Sequence, residues 1–238
     1  MDADRERAPF EAAPFVDKHH VQERVYAARA GLGWVGKNTC VINPESGSWL
    51  LLAGLATTLE LEPDPPLPDQ CGDCTLCLDA CPTGALVEAR ELDATRCIAY
   101  LTIELESPVP ESRRAQVGSH VFGCDICQEV CPWNLAAPVT ADPAWTALPR
   151  DGARAAELWQ RSDQDLHGFV RGSAMTHAPL ARLRRNLAIV IGNSDDASLE
   201  AVLDRPGGGV PNAAHSAATP LVQDAVAWAR GRLGRRRD

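Results

Sequence analysis

The stretch CGDCTLCLDACPTGAL (71–86) sets Cys71, Cys74, Cys77 and Cys81 at x2, x2, x3 spacing, with Pro82 behind the last. That is the bacterial ferredoxin run for a 4Fe–4S cluster. The short gaps wrap three thiolates around one face of a cube, and the cysteine before the proline is carried away to serve a second cluster. Structural zinc also uses CxxC pairs, but zinc sites rarely need four cysteines in such a run with a trailing proline.

Downstream, GCDICQEVCPWN (123–134) repeats the pattern as C-x2-C-x3-C-P, with Cys97 standing for the displaced leading cysteine. Crossed ligation then predicts one cluster on Cys71, Cys74, Cys77 and Cys131. The other falls on Cys81, Cys97, Cys124 and Cys127. The ninth cysteine, Cys40, reads as a small buried hydrophobe in a strand. Two neighbouring clusters form an electron wire, but they fill only about a quarter of the chain, so a terminal acceptor is expected elsewhere.

The rest of the chain is that of an ordinary globular protein. It has 238 residues, 45% hydrophobic and 23% charged, enough for one large domain or two small ones. No apolar run reaches the roughly 18–20 residues of a membrane helix, and the first ten residues, MDADRERAPF, contain no apolar signal core. A cytoplasmic protein without membrane contact is expected. Residues 1–149 carry 10 Lys+Arg against 22 Asp+Glu, and residues 150–238 carry 13 against 10. Such an acidic chain is a poor general binder of nucleic acid. The late arginines 182, 184, 185, 230, 232 and 235–237 read as a solvated helix face and tail, or as an electrostatic foot for RNA.

Local signals divide the chain further. Residues 1–16 read as poorly ordered. Asp17 is placed to cap a helix running to about Ala30, with Gly31 as its stop. TCVIN (39–43) and SWLLLAGLATT (48–58) flank NPESG, which predicts a β-hairpin. ELEPDPPLPDQ (60–70) is a stiff connector, and residues 178–238 read as helical with a break at 207–209. Gly31, Gly36 and Lys37 mimic part of a P-loop, but Asn38 stands where Ser or Thr would reach Mg²⁺. The glycines are read as allowing a tight turn.

AARAGLGWVGKNT (27–39), NPESGSWLLLAGL (43–55), CIAYLTIEL (97–105) and the two cysteine runs together resemble the epoxyqueuosine reductase family, over about residues 16–135. Residues 178–205 resemble the HEAT-type repeat that closes many members. The resemblance implies a cobalamin-dependent enzyme with two 4Fe–4S clusters and an external electron donor. Its substrate is tRNA carrying epoxyqueuosine at the wobble position, which it reduces to queuosine. It further implies that Asp17, in VDKHHVQER (16–24), protonates the departing oxygen. An acid working near neutral pH requires burial or negative neighbours. Val41, Leu52, Leu55, Ala99 and Asp125 match cobalamin-lining positions.

The chain departs from the family pattern at Lys18, His19 and His20, and at Glu106, where a lysine is usual. Because the match begins just before Asp17, the chain is expected to lack the family's N-terminal segment and to bind cobalamin weakly. The expected fold is α+β in three parts. Residues 1–60 are a remnant of a cobalamin-binding α/β domain, 61–135 a ferredoxin-like two-cluster domain, and 136–238 a helical HEAT-like region. The expected state is a monomer. An electron-transfer protein and a reductive dehalogenase-like enzyme are the alternatives.

Overall fold

The computed structural model describes residues 10–17, 19–143, 151–209 and 215–235. It is a mixed helix-and-sheet chain that divides into two contact-dense units. Unit 1 comprises residues 1–80, 86–92 and 126–139, and unit 2 comprises 81–85, 93–125 and 140–238. These units do not follow the three consecutive segments expected from the sequence, because segment 61–135 contributes to both.

In unit 1, β1 (Ala12–Phe15) pairs antiparallel with β4 (Gly54–Thr57), with Phe15 opposite Gly54. Residues 12–15 are thus a strand, where poor order was expected; residues 1–9 lie outside the described residues. Helix α1 spans Glu23–Arg29 and stops at Gly31, whose φ of +72° is the left-handed conformation that ends helices. Its N-cap is Gln22, which makes no side-chain cap bond, so the capping role expected of Asp17 is not realised. His19 Nδ1 lies 3.4 Å from both the backbone N and O of Val16, and its ring meets Phe15 edge-on at 6.4 Å.

The expected hairpin around NPESG is also corrected. Residues 43–47 do form a turn, closed by two Asn43–Gly47 backbone bonds of 2.9 Å. Beyond it, the Ser48 N–H donates to Asn134 Oδ1 at 2.6 Å, so the chain leaves the ladder. β3 (Val41–Ile42) pairs backwards with β2 (Trp34–Val35), across the Gly36–Cys40 turn. Residues 34–42 are therefore a hairpin, not the strand-to-helix turn of a P-loop. Two one-turn helices pack together: α2 (Leu76–Asp79) follows the Cys71–Cys74 pair, and α5 (Ile126–Glu129) begins between Cys124 and Cys127. β5 (Leu86–Glu88) and β6 (Glu91–Leu92) complete the unit.

Unit 2 is helical. α3 (Ile98–Ile103) and α4 (Glu111–Arg114) precede α6 (Gly152–Trp159), α7 (Asp163–Val170), α8 (Leu180–Asn193) and α9 (Pro220–Gly234). The Asp151 and Ser162 side chains accept N–H groups at the starts of α6 and α7. Both helices fall within the 136–238 region expected to be helical, although no local signal marked their bounds. Residues 197–204 wind as a 3₁₀ helix where an α-helix was expected. α8 is the hub, with residues 183–192 all buried. It approaches α9 so closely that a Cβ on Gly192 would stand 2.7 Å from Ala229 Cα.

That burial overturns the surface reading of Arg182, Arg184 and Arg185. Arg184 and Arg185 are 0% and 1% exposed. Arg184 meets Asp163, Ser216 and the carbonyls of Trp159 and Arg161. Arg185 reaches the carbonyls of Leu101, Leu105 and Ser107, while Arg182 reaches those of Ile103 and Glu104. Of the tail arginines, Arg230 pairs with Asp204 and Arg232 lies over the Trp228 ring. Residues 236–237 lie outside the described residues.

Candidate iron–sulfur and substrate site

Cys71, Cys74, Cys77 and Cys131 line one cavity of about 280 Å³ in unit 1. Cys71 and Cys74 sit on the loop before α2, Cys77 on α2, and Cys131 just beyond α5. No disulfide joins any of the nine cysteines. Burial pushes the Cys77 and Cys131 thiols up, and the neighbouring charge of Cys71 and Cys74 adds to it; backbone amides pull part of the way back. Four mutually repelling sulfur donors suit thiophilic iron, whose positive charge relieves that repulsion. Among the described residues, no three His, Cys, Asp or Glu side chains converge as ligands of a single metal ion. Ligands of a four-iron cube stand farther apart, at its corners.

The other predicted ligands are distributed differently. Cys81, Cys97 and Cys124 belong to unit 2, and Cys127 to unit 1. Cys81 Sγ accepts the Ala85 N–H at 3.3 Å, a bond of the kind that steadies a thiolate. Cys97 is the N-cap residue of α3. Cys124 lines a cavity of about 220 Å³ in unit 2, with His120, Asp125, Arg154 and Phe169. Cys127 lies on α5, and its carbonyl accepts from Asn38 Nδ2 at 3.2 Å. Cys40 is half-buried and lies one residue before β3, so it is neither fully buried nor in the strand.

Asp17 is exposed, in the turn between β1 and α1, with φ at +49°. The burial expected of a proton donor is not provided by its own unit. Leu52 and Leu55 line an apolar cavity of about 510 Å³ in unit 1, together with Phe15, Tyr26 and Leu32. Val41 is only 4% exposed and packs inside unit 1 rather than on that cavity wall. Ala99 is half-buried on α3, and Asp125 is exposed; both belong to unit 2.

Sequence reasoning missed the polar groups that brace the cysteine loops. In unit 1 these are Trp34, Lys37 and Asn38. In unit 2, Asn186 donates to the carbonyls of Thr102 and Val121 at 2.7 and 2.9 Å. The Thr102 hydroxyl in turn accepts the Gly123 N–H, directly before Cys124. The only sequence signal was a patterned GWVGKN stretch whose polar residues no P-loop explained.

Comparison with known proteins agrees with this geometry. Residues 70–134 match the 4Fe–4S double cluster binding domain. The chain is 38% identical to epoxyqueuosine reductase of Escherichia coli K12 over 219 residues, 91% of this chain and 55% of that protein. It is 42% identical to the Pseudomonas aeruginosa enzyme over 235 residues, 96% of this chain and 62% of that one. A solved epoxyqueuosine reductase with an epoxyqueuosine-modified tRNA-Tyr stem loop superposes with a TM-score of 0.80 at 33% identity, covering 96% of this chain and 59% of that one. The Bacillus subtilis enzyme, with its aspartate-bearing catalytic loop swung out of the active site, gives 0.78 at 31% identity over the same shares. The chain thus spans between half and two thirds of the length of these relatives. Over nearly its whole length the chain is similar to these epoxyqueuosine reductases.

Proposed function

We propose that the chain carries the electron-delivering and substrate-reducing machinery of an epoxyqueuosine reductase, converting epoxyqueuosine to queuosine in tRNA. The observation that carries this reading is the single cavity shared by Cys71, Cys74, Cys77 and Cys131, in a chain related to these enzymes over nearly its whole length. Cys81, Cys97, Cys124 and Cys127 ligate the second cluster. Electrons enter from an external donor and leave one at a time through the clusters.

The apolar cavity lined by Leu52 and Leu55 suits a flat hydrophobic macrocycle; Ala99 and Asp125 contribute further cobalamin contacts, whereas the buried Val41 supports the fold. When bound, cobalamin supplies a strongly reducing cobalt centre toward the strained epoxide. The chain's own part is the proton. Asp17 donates it to the oxygen that departs from the epoxide carbon, while substrate and cofactor supply the burial that its own turn lacks. Residues 136–238 supply the HEAT-like closing region. A tRNA substrate places the reaction in the cytoplasm, and no described helix is long and apolar enough to cross a membrane. The enzyme works as a monomer.

The test is anaerobic reconstitution, then incubation with cobalamin, a chemical reductant and an epoxyqueuosine-modified stem loop. Iron near eight atoms per chain together with queuosine formation is the expected result. Full iron without queuosine would leave an electron-transfer protein. Zinc in place of iron would end the reading.

A further inference from the structure

The stretch GWVGKN (33–38) belongs to no part of the proposed reaction, yet its side chains converge on the first cysteine site. Trp34 is 3% exposed and donates its Nε1–H to Cys71 Sγ at 3.5 Å. Its ring is fixed edge-on against Trp133, two residues beyond Cys131, at 5.0 Å. Lys37 Nζ donates to the carbonyls of Gly72 and Cys74, at 2.6 and 2.9 Å, within the loop that carries the Cys71 and Cys74 thiols. Asn38 is equally buried; it donates to the Cys127 carbonyl while its own Oδ1 accepts the Cys40 N–H at 3.1 Å. Lys37 and Asn38 also line the cavity that the four thiols share.

Three residues thus pin one small hairpin to the ligand loops through four hydrogen bonds. Scaffolding alone does not account for their chemistry. A hydrogen bond donated to a ligand sulfur withdraws charge from it, and an ammonium in a half-buried site offsets negative charge at short range. Both effects act on the same quantity. Adding one electron to a cluster adds one negative charge, so each favours the reduced form over the oxidised one.

We propose that Trp34 and Lys37 raise the reduction potential of the cluster held by Cys71, Cys74, Cys77 and Cys131, Trp34 through its N–H to the Cys71 sulfur and Lys37 as a positioning residue and fixed positive charge on the ligand loop. This rests on the reading of those four cysteines as cluster ligands. It assigns the hairpin a task in the direction of electron flow, set by the contacts it makes to the Cys71 sulfur and to the Gly72 and Cys74 carbonyls. The transfer itself stays balanced, with one electron taken from the external donor and one passed on.

The experiment is a potentiometric titration of the anaerobically reconstituted full chain, followed by electron paramagnetic resonance, with iron content measured alongside. Trp34→Phe keeps the ring and loses the N–H. Lys37→Met keeps the stem and loses the charge, and Lys37→Arg keeps a cation. Trp34→Phe and Lys37→Met are expected to keep wild-type iron and to move one cluster's midpoint to more negative potential, leaving the other in place; Lys37→Arg restores it in large part. Wild-type midpoints in both variants at full iron would overturn the proposal. Iron loss from either variant would do the same, since it would make the residue a structural brace. Wild-type protein that takes up no iron would instead sink the underlying cluster reading.

Discussion

Arg184 and Asp163 form an ion pair at 2.9 Å in which no part of the arginine side chain reaches solvent. The pair joins α8 to the start of α7. Removing one partner strands a buried charge, so Asp163→Ala is expected to cost about 3–5 kcal/mol, measured by denaturant unfolding. Arg184→Met should cost less than Asp163→Ala, because it leaves no uncompensated cation.

The same pair gives a pH dependence. Burial pushes the Asp163 carboxyl up, but the Ser216 hydroxyl and amide and the Arg184 guanidinium outweigh it and hold the group below its ordinary value. A carboxylate with a depressed folded-state pKa stabilises the fold fully above its unfolded value of about 3.9, and that share is lost as pH falls toward the folded-state value. Unfolding free energy should therefore drop below about pH 4. In Asp163→Asn that portion of the acid sensitivity should be missing. Identical acid limbs for the two proteins would contradict the pairing.

Arg185 is the stricter case, because its nearest acceptors are carbonyl oxygens. Burial first, and then the charges of Arg182 and Arg114, push its guanidinium down to about 10, which still leaves it cationic at neutral pH. It donates to Leu101, Leu105 and Ser107 at 2.7 Å, closing the C-terminal end of α3, whose N-cap residue is Cys97. Arg185→Met strands those carbonyls, at about 1–3 kcal/mol for each that stays dry. It should loosen the Cys97 loop before the chain unfolds globally. Iron release under mild chelation should be faster for Arg185→Met and unchanged for the exposed Arg235→Met.

These arginines show where the sequence ran out. The cysteine spacing was legible because ligation chemistry dictates it, and the double-cluster match covers the segment it pointed to. Arg182, Arg184 and Arg185 looked solvated because charges on a helix usually are. Their burial depends on carbonyls 78–84 residues away and on Asp163, none of which marks itself in sequence. Residues 48–58 were apolar enough for a hairpin partner, but Asn134 captures the Ser48 amide and β1 claims residues 54–57. Asp17 preceded a helical pattern, yet α1 begins only at Glu23, and His19 contacts the Val16 backbone and the Phe15 ring instead. In each case a distant or non-repeating polar contact overrode a local rule.

Gly47 gives a prediction about the turn that survived. It sits at φ +68°, and a Cβ there would run into the Asn134 side-chain amide. Asn134 binds Ser48 and the Gln128 carbonyl, three residues before Cys131. Gly47→Ala therefore strains the backbone and displaces that hub. A loss above about 1 kcal/mol is expected, because the substitution is incompatible with the native conformation. Cys40→Ala is the control from the other end of the same segment: it should leave stability within about 1 kcal/mol and iron content at the wild-type level.

Asp17→Asn separates chemistry from structure in a single variant. The residue stands at φ +49°, in the left-handed region where Asp and Asn are tolerated and β-branched residues are not. Asn therefore keeps the backbone, the size and the hydrogen-bonding reach, and removes only the proton. No helix cap is lost, since α1 begins at Glu23 with Gln22 before it. Stability and iron content should match the wild type. If Asp17 delivers the proton to the departing oxygen, turnover of an epoxyqueuosine-modified stem loop should fall by ~10²–10⁴-fold, the usual weight of general-acid catalysis. Stem-loop affinity should hardly change, because binding does not consume the proton. Near wild-type turnover would remove Asp17 from the chemistry and send the search to the other titratable groups beside the apolar cavity, of which Glu23 is on its wall.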